Sequence, residues 1–469
     1  MTRMSFIQTA PAMSSIHERA LGIYVRTPDG GLIRCVGPHS QWAQRTWSEI
    51  RSTVTAASSG LAHGSKVCLT GSDTDSTPQG LTEPVVDLTV EQIVNLFDKE
   101  LRYSVQNDQW ESHGRAYFEA KVRFFVCQNS TLQLCLPAFP CKSSNLEKVM
   151  GVLPDRGEEI ALRRLHTFTH KIEQIYPPGA RVLIISDGHV FSDCIGVDDK
   201  TVDQYGEHLK VLNSAISLAM GEKVERVQFQ SLVDLFNLTS LSPTSVLSLP
   251  ELQHDLTTSL DDTAELCRRI LVAGCQPSKE SLRTQIESGD ESTLALYRGF
   301  SRFMLQDLDQ HPLTQSQSRS QRKKLATRVS FEMILRNQAY SNLVELMFPD
   351  CLRLSIHAHN NSGPKFGIKL FDTATISVIH PLDSMSSDAS NSDEECIATA
   401  SHFLHLPTPW HNCIVEVAGD PKLYIMKYGA VKEGSLVHKY SSDLIEGNLA
   451  NGEGAFVSLK RLVDSIKAI

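Results

Sequence analysis

Three polar groups interrupt otherwise apolar stretches of the chain: Lys142-Ser-Ser-Asn145, Asp187-Gly-His189 with Ser192-Asp193, and Arg353-Leu-Ser-Ile-His-Ala-His-Asn-Asn-Ser-Gly-Pro-Lys365. Asp187, His189 and Asp193 are groups that accept and return protons, which makes them candidates for general acid–base catalysis. They close the run Arg181-Val-Leu-Ile-Ile-Ser-Asp-Gly-His-Val-Phe-Ser-Asp193, whose apolar part Val182 to Ile185 has no alternating polar face. That is the pattern of a strand covered on both sides, and ligands of such sheets bind beyond the carboxyl ends of the strands. Asp187 with Gly188 fits a plain turn equally well, with Asp193 as a cap.

On an extended strand, Arg353, Ser355, His357 and His359 would share one face, with Leu354, Ile356 and Ala358 on the other. Cationic and titratable groups beside a hydroxyl suit an anionic ligand. His357 and His359 also have the spacing of a metal pair, although no third ligand can be named from spacing, and a solvated polar face is a further reading. Lys142 and Lys365 each adjoin a proline-containing turn that would fix the direction of the stem, as phosphate contacts or imine chemistry require; most lysines are simply solvated. Pro409-Trp-His-Asn412 sets an aromatic ring, Trp410, beside an imidazole, His411, and a core tryptophan is the usual reading.

A chain of 469 residues exceeds what one growing core accommodates, so two lobes or one elaborated domain are expected. A net charge of -9 spread over many acids and bases argues against nucleic acid as a bulk partner. No apolar run reaches the length of a membrane helix and Met1 to Ser15 lacks a secretory pattern, so a cytoplasmic protein with no membrane partner is expected. The 11 cysteines include no Cys-x-x-Cys pair and read as reduced, buried thiols; Cys194 lacks the surroundings of a nucleophile.

The elements that must position these groups follow from periodicity. Residues 1–75 read as an appended segment with a small hairpin from Leu21–Arg26 and Leu32–Val36. A helix is expected from Thr89, then a second hairpin from Lys121–Cys127 and Thr131–Leu136. Asp155 with Glu158 forms a capping box ahead of a helix that stops before Pro177, and the Val182 strand follows. Val202, Tyr205, Leu209, Leu212 and Ile216 mark the next helix. Residues 239–263 and 383–396 read as surface insertions, helices are expected over Thr284–Leu308 and Ser320–Met347, and short strands over Leu352–Ala358, Lys365–Phe371, Thr375–Ile379, Cys413–Val417 and Leu423–Tyr428. Helix, strand, acidic loop, helix is α/β order.

Taken together, these motifs and their order resemble the pyoverdine/dityrosine biosynthesis family, the isocyanide (isonitrile) synthases. The resemblance is carried by Leu136-Pro-Ala-Phe-Pro-Cys-Lys-Ser-Ser-Asn145, Leu153-Pro-Asp155 with Glu159 and Leu162, Ile185-Ser-Asp-Gly-His-Val-Phe-Ser-Asp193, Tyr205, Tyr297-Arg-Gly-Phe300 with Asp307-Leu308, Arg353 to Lys365, and Thr408-Pro-Trp-His411; it spans roughly residues 76 to 430. It implies a Rossmann-like central sheet covered by helices, a strand-rich C-terminal part, and a synthase domain over 76–469. It implies an amino acid, tyrosine or tryptophan, and ribulose 5-phosphate as substrates, no cofactor and no metal, and a downstream oxygenase or cytochrome P450 acting on the product. Within it, Asp187, His189, Asp193 and Lys365 are expected to be catalytic. Lys142, Ser143, Ser144, Arg353, His357, His359, Trp410 and His411 are expected to bind substrate. Two other classes stay open from the residues alone: a metal-dependent hydrolase or oxygenase using His357 and His359, and a non-catalytic sugar-phosphate-binding protein.

Overall fold

In a computed structural model of the chain, the described residues are 82–236, 249, 251–256, 259–372, 374–378, 407–432 and 440–462, together with the two strands of an N-terminal hairpin, β1 (Ile23–Arg26) and β2 (Leu32–Val36). Those two strands pair antiparallel as their sequence suggests. The rest of 1–75, residues 239–248, 250, 257 and 258 of the first expected insertion and all of 383–396 lie outside the described residues.

The centre is a five-stranded sheet of β3 (Leu132–Pro137), β4 (Ala180–Ser186), β5 (Val227–Ser231), β6 (Leu352–Ser355) and β7 (Lys365–Gly367). Its spatial order is β5-β4-β3-β6-β7, with every pairing parallel. The chain builds outward from β3 to β5, then returns to lay β6 on the other side of β3. The order therefore reverses between β3 and β6, and that is where α/β sheets of this kind open a crevice at their carboxyl ends.

Side chains alternate along these strands and fill two cores. Leu134, Leu136, Val182, Ile184, Val227, Leu352, Leu354 and Phe366 enter one core with helices α1 (Glu83–Glu100), α2 (Arg115–Cys127), α3 (Arg156–Ile175) and α5 (Asp199–Ala219). Cys135 and Ile185 enter the other, under α7 (Asp262–Cys275) and α10 (Arg319–Met347), which brings Tyr340, Leu343, Val344 and Met347. Between them in sequence lie α4 (Gly188–Ile195), the one-turn α6 (Leu232–Leu235), α8 (Lys279–Glu287) and α9 (Glu291–Gln310). A second, mixed sheet has the order β11-β12-β9-β10-β8, from β8 (Ile376–Val378), β9 (Cys413–Val417), β10 (Leu423–Met426), β11 (Tyr440–Ile445) and β12 (Phe456–Arg461); α11 (Tyr428–Lys432) follows β10. The α/β class, the central parallel sheet and the strand-rich C-terminal part are as the sequence indicates.

Several local readings change. Lys121 to Cys127 belongs to α2 rather than to a hairpin strand: Phe118, Val122, Phe125 and Val126 recur at helical spacing and are all buried. The first helix starts at Glu83, with Pro84 in its first turn, so Thr89 lies inside it and its hydroxyl donates to the Val85 carbonyl. The expected single helix from Thr284 is two, broken at Gly289, where φ is +75°. Within the first expected insertion, Leu249 and Leu256 are buried and Asp261 caps α7, so these residues pack into the protein. The capping box of Asp155 and Glu158 is present at the start of α3.

Candidate functional site

Asp187 follows β4 directly and occupies the N-cap position of α4. The loop after β3 crosses closely above it. A Cβ on Gly188 would meet the Pro140 carbonyl oxygen at 2.2 Å and Val202 Cγ1 at 2.5 Å, so only glycine permits this approach. Asp187 Oδ1 is buried without a hydrogen-bond partner among the described residues. Burial pushes its carboxyl up to about 7, against the opposing pull of a backbone N–H and of Arg353.

Arg353 comes from β6, two strands away, and on the same sheet face as Cys135 of β3, its register partner. Its Nε and Nη1 are buried and likewise without a partner among the described residues. Buried donors and acceptors are almost always satisfied, so open atoms on both an acid and a cation that feel each other's charge mark a place for a ligand. Ser355 lies two residues on, on the same face, and its hydroxyl is 2.9 Å from His359 Nε2. His359 is pushed down to about 3 by burial and by His357, Lys365 and Arg353, which keeps its ring neutral. The strand ends at Ser355, so His357 and His359 do not continue its face. They sit in the following loop, where His359 folds back onto Ser355, because Asn360 to Pro364 turns the chain toward β7.

Lys365 opens β7 opposite Arg353 in register. Its Nζ is 2.5 Å from Ser341 Oγ and 3.9 Å from Glu345, both on α10. Burial and Arg353 hold its ammonium below the usual lysine range. Gly363, with φ +89°, packs against the Tyr117 ring, a conformation that side chains rarely adopt, and so sets the approach to Lys365. Around this cluster the α10 face adds groups that sequence inspection passed over. The Tyr340 hydroxyl donates to the Ile185 carbonyl, and Cys135 is drawn down by a hydrogen bond with Cys351 and, despite burial, by Arg353 and Lys121. Tyr340, Ser341 and Glu345 had no local signal, because α10 packs against neighbours on several sides and carries almost no amphipathic period.

The other expected residues are placed elsewhere. His189 Nε2 is 3.1 Å from Asp203 Oδ1 on α5. Asp193 is bound by Arg336 at 2.6 Å and His254 at 2.9 Å, and those partners, with Arg268 nearby, hold it down at about 2 despite burial. Asp187, His189 and Asp193 thus diverge around α4, and Asp187 feels the Arg353 charge. A cavity of about 430 Å³ lies by Asp193 and Cys194, walled by Arg283, Arg328, Phe331 and Glu332. Lys142 is fully buried, with Nζ 2.7 Å from Asp155, 2.7 Å from Glu158 and 3.0 Å from the Pro409 carbonyl. Three acceptors meet its three N–H groups, leaving none for a substrate anion. Tyr205 completes this knot by donating to Glu158. Ser144 donates to the Ile195 carbonyl and Ser143 to Asp307. Trp410 is buried, its ring 5.1 Å from Phe139, and the His411 ring is 4.8 Å from Phe303.

The model of the pyoverdine/dityrosine biosynthesis protein matches residues 122–437 of this sequence. The chain belongs to that family. The match takes in the β3 loop, Asp187, Arg353 to Lys365 and Trp410-His411, so the open pair lies within the family's own segment. Among relatives, the chain is 41% identical to the spore wall maturation protein DIT1 of Saccharomyces cerevisiae over 83% of this chain and 72% of that one. It is 32% identical to an L-tyrosine isonitrile synthase of Xenorhabdus nematophila over 68% of this chain and 78% of that one. The crystal structure of the PvcA protein from Pseudomonas aeruginosa aligns with a TM-score of 0.58 at 23% identity, covering 80% of this chain and 99% of that one, which places the fold with this family member. Among the described residues no helix is long and apolar enough to cross a membrane.

Proposed function

We propose that this protein is an isonitrile synthase that converts the amino group of an L-amino acid, tyrosine or tryptophan, to an isocyanide, with ribulose 5-phosphate as the carbon donor. The observation that supports this reading is a buried Asp187 carboxyl oxygen and two buried Arg353 guanidinium nitrogens, each without a hydrogen-bond partner among the described residues and within each other's field at the switch point of the sheet. The identity to an L-tyrosine isonitrile synthase supports the choice of reaction.

The chemistry asks for a neutral amine to add to the ketone, loss of water from the carbinolamine, and cleavage of two carbon–carbon bonds at the former ketone carbon. Each step moves a proton. A carboxyl poised near 7 suits both halves of that traffic, taking a proton from the ammonium and returning one to the departing hydroxyl. Arg353 and Lys365 supply fixed positive charge for an anionic group of a substrate, with the Arg353 fork shaped for two oxygens. His359, held neutral, receives or donates a hydrogen bond without adding charge. The depressed Lys365 ammonium is also the group best prepared for a transient imine with the sugar ketone, should the substrate amine enter by exchange. The product isocyanide is a substrate for a downstream oxygenase or cytochrome P450.

The test is incubation of the purified protein with L-tyrosine or L-tryptophan and ribulose 5-phosphate, reading isocyanide by mass spectrometry. Isocyanide that appears only when both substrates are present supports the reading, and binding of both without consumption would replace it with a non-catalytic role.

A further inference from the structure

Where the loop after β3 meets the turn before β9, two lysines come together beside one carboxylate, Asp307: the Tyr428 N–H, next to Lys427, donates to the Lys148 carbonyl at 3.3 Å. Lys148 Nζ stands 2.6 Å from Asp307 Oδ1, and its side chain is 5% exposed. It also lies 3.8 Å from the centre of the Phe303 ring. Asp307 accepts from Ser143 Oγ at 3.3 Å as well. Lys427, directly after β10, donates to the His411 carbonyl and is close enough to feel both Lys148 and Asp307. Burial and the Lys148 cation pull Lys427 down to about 7, as two crowded cations with one counter-charge require.

Lys142, in the same loop, shows what a purely structural buried lysine has here: two carboxylates, Asp155 and Glu158, and a carbonyl. Lys148 has Asp307 as its one ion-pair partner among the described residues, while Lys427 donates to a carbonyl and pairs with no carboxylate there. A buried excess of positive charge is costly unless an anion completes it. Lys427 keeps partial exposure, so the cluster is not sealed.

We infer that Lys148 and Lys427 form a subsite for a phosphate monoester, leaving the Arg353 fork to the carboxylate of the amino acid. Ammonium groups act as point charges that suit a phosphate, whereas the planar guanidinium matches a carboxylate. The assignment rests on the proposed function in that the monoester is the phosphate end of ribulose 5-phosphate. The Phe139 and Trp410 rings, in contact at 5.1 Å, and the neighbouring His411 link the loop above Asp187 to this cluster.

The experiment is equilibrium binding, without turnover, of inorganic phosphate, ribulose 5-phosphate and L-tyrosine to the full chain. Lys427→Gln and Lys148→Gln are expected to weaken phosphate and ribulose 5-phosphate by about tenfold or more and to leave L-tyrosine unchanged. Asp307→Asn, which keeps the side chain's shape, is expected to tighten phosphate, an effect that a merely structural carboxylate would not give. Phosphate affinity equal to wild type in both lysine variants, or unchanged or weaker in Asp307→Asn, overturns the subsite; the second arm decides alone if the lysine variants do not fold. Intact lysine-dependent phosphate binding without isocyanide formation would instead leave the subsite standing and remove the reaction.

Discussion

Asp187, at the end of β4, feels the charge of Arg353 on β6, and neither Asp187 Oδ1 nor Arg353 Nε and Nη1 has a hydrogen-bond partner among the described residues. A buried carboxyl oxygen and two buried guanidinium nitrogens left open within each other's field are free to meet a ligand. If they existed only to hold the fold, direct pairing would be the cheaper arrangement.

Asp187→Asn removes the proton carrier and keeps its shape. Turnover should fall by roughly a hundredfold or more, with little change in KM. In the wild type, kcat/KM should rise with pH through about 7 as the carboxyl ionises in the free enzyme, and the variant should lose that limb. Stability moves the opposite way. The folded carboxyl holds its proton up to about 7, whereas the unfolded one releases it near the ordinary 3.8, so native protein binds more protons between those values and is destabilised as pH rises across them. The neutral amide of the variant carries no such cost, so thermal unfolding should show the variant gaining on wild type as pH rises from about 3.8 to about 7, the gain levelling off above that.

Arg353→Lys keeps the charge and loses the fork. A loss of about tenfold or more in kcat/KM, carried mainly by KM for one substrate, is expected from steady-state kinetics, because a charge-assisted pair contributes roughly 1.5–3 kcal/mol. Full activity in the lysine variant would show that only net charge matters at this position.

Lys142→Met tests a residue whose sequence context suggests an anion contact and whose surroundings are two buried carboxylates. Removing the cation strands Asp155 and Glu158, so destabilisation on the order of 3–5 kcal/mol is expected in denaturant unfolding. Substrate affinities of the folded fraction should be near wild type.

Asp193→Asn breaks the ion pairs with Arg336 and His254. The Asp193 carboxyl is held at about 2, so its stabilisation is present above the ordinary aspartate range and is lost as pH falls toward 2. His254 is raised by the same contact, and its share is lost as pH rises through its elevated value. The variant should therefore melt earlier between those limits, by calorimetry, with kcat reduced less than in Asp187→Asn.

The strands and helices that carry the site were legible because their signals are local. The unbroken Val182 to Ile185 run gave β4, the Asp155–Glu158 box gave the start of α3, and the period of Val202 to Ile216 gave α5. The α2 segment misled because Val122, Phe125 and Val126 are β-branched or aromatic, and only the longer pattern from Phe118 shows the helical period. Within the site, Arg353, Ser355 and Lys365 fell together because parallel register puts them there. The separate employment of Lys142 and Asp193 was not legible, since their partners Glu158, Arg336 and His254 meet them only through tertiary packing. The same holds for Lys427, whose sequence neighbours carry no hint of Lys148 and Asp307.

The central claim is tested most directly by one incubation of the protein with L-tyrosine or L-tryptophan and ribulose 5-phosphate labelled with carbon-13 at its ketone carbon, read by carbon NMR of the product. The account predicts the label in the isocyanide carbon, with Asp187→Asn forming little of it. An isocyanide without label, or label recovered only in unconsumed sugar phosphate, would contradict it.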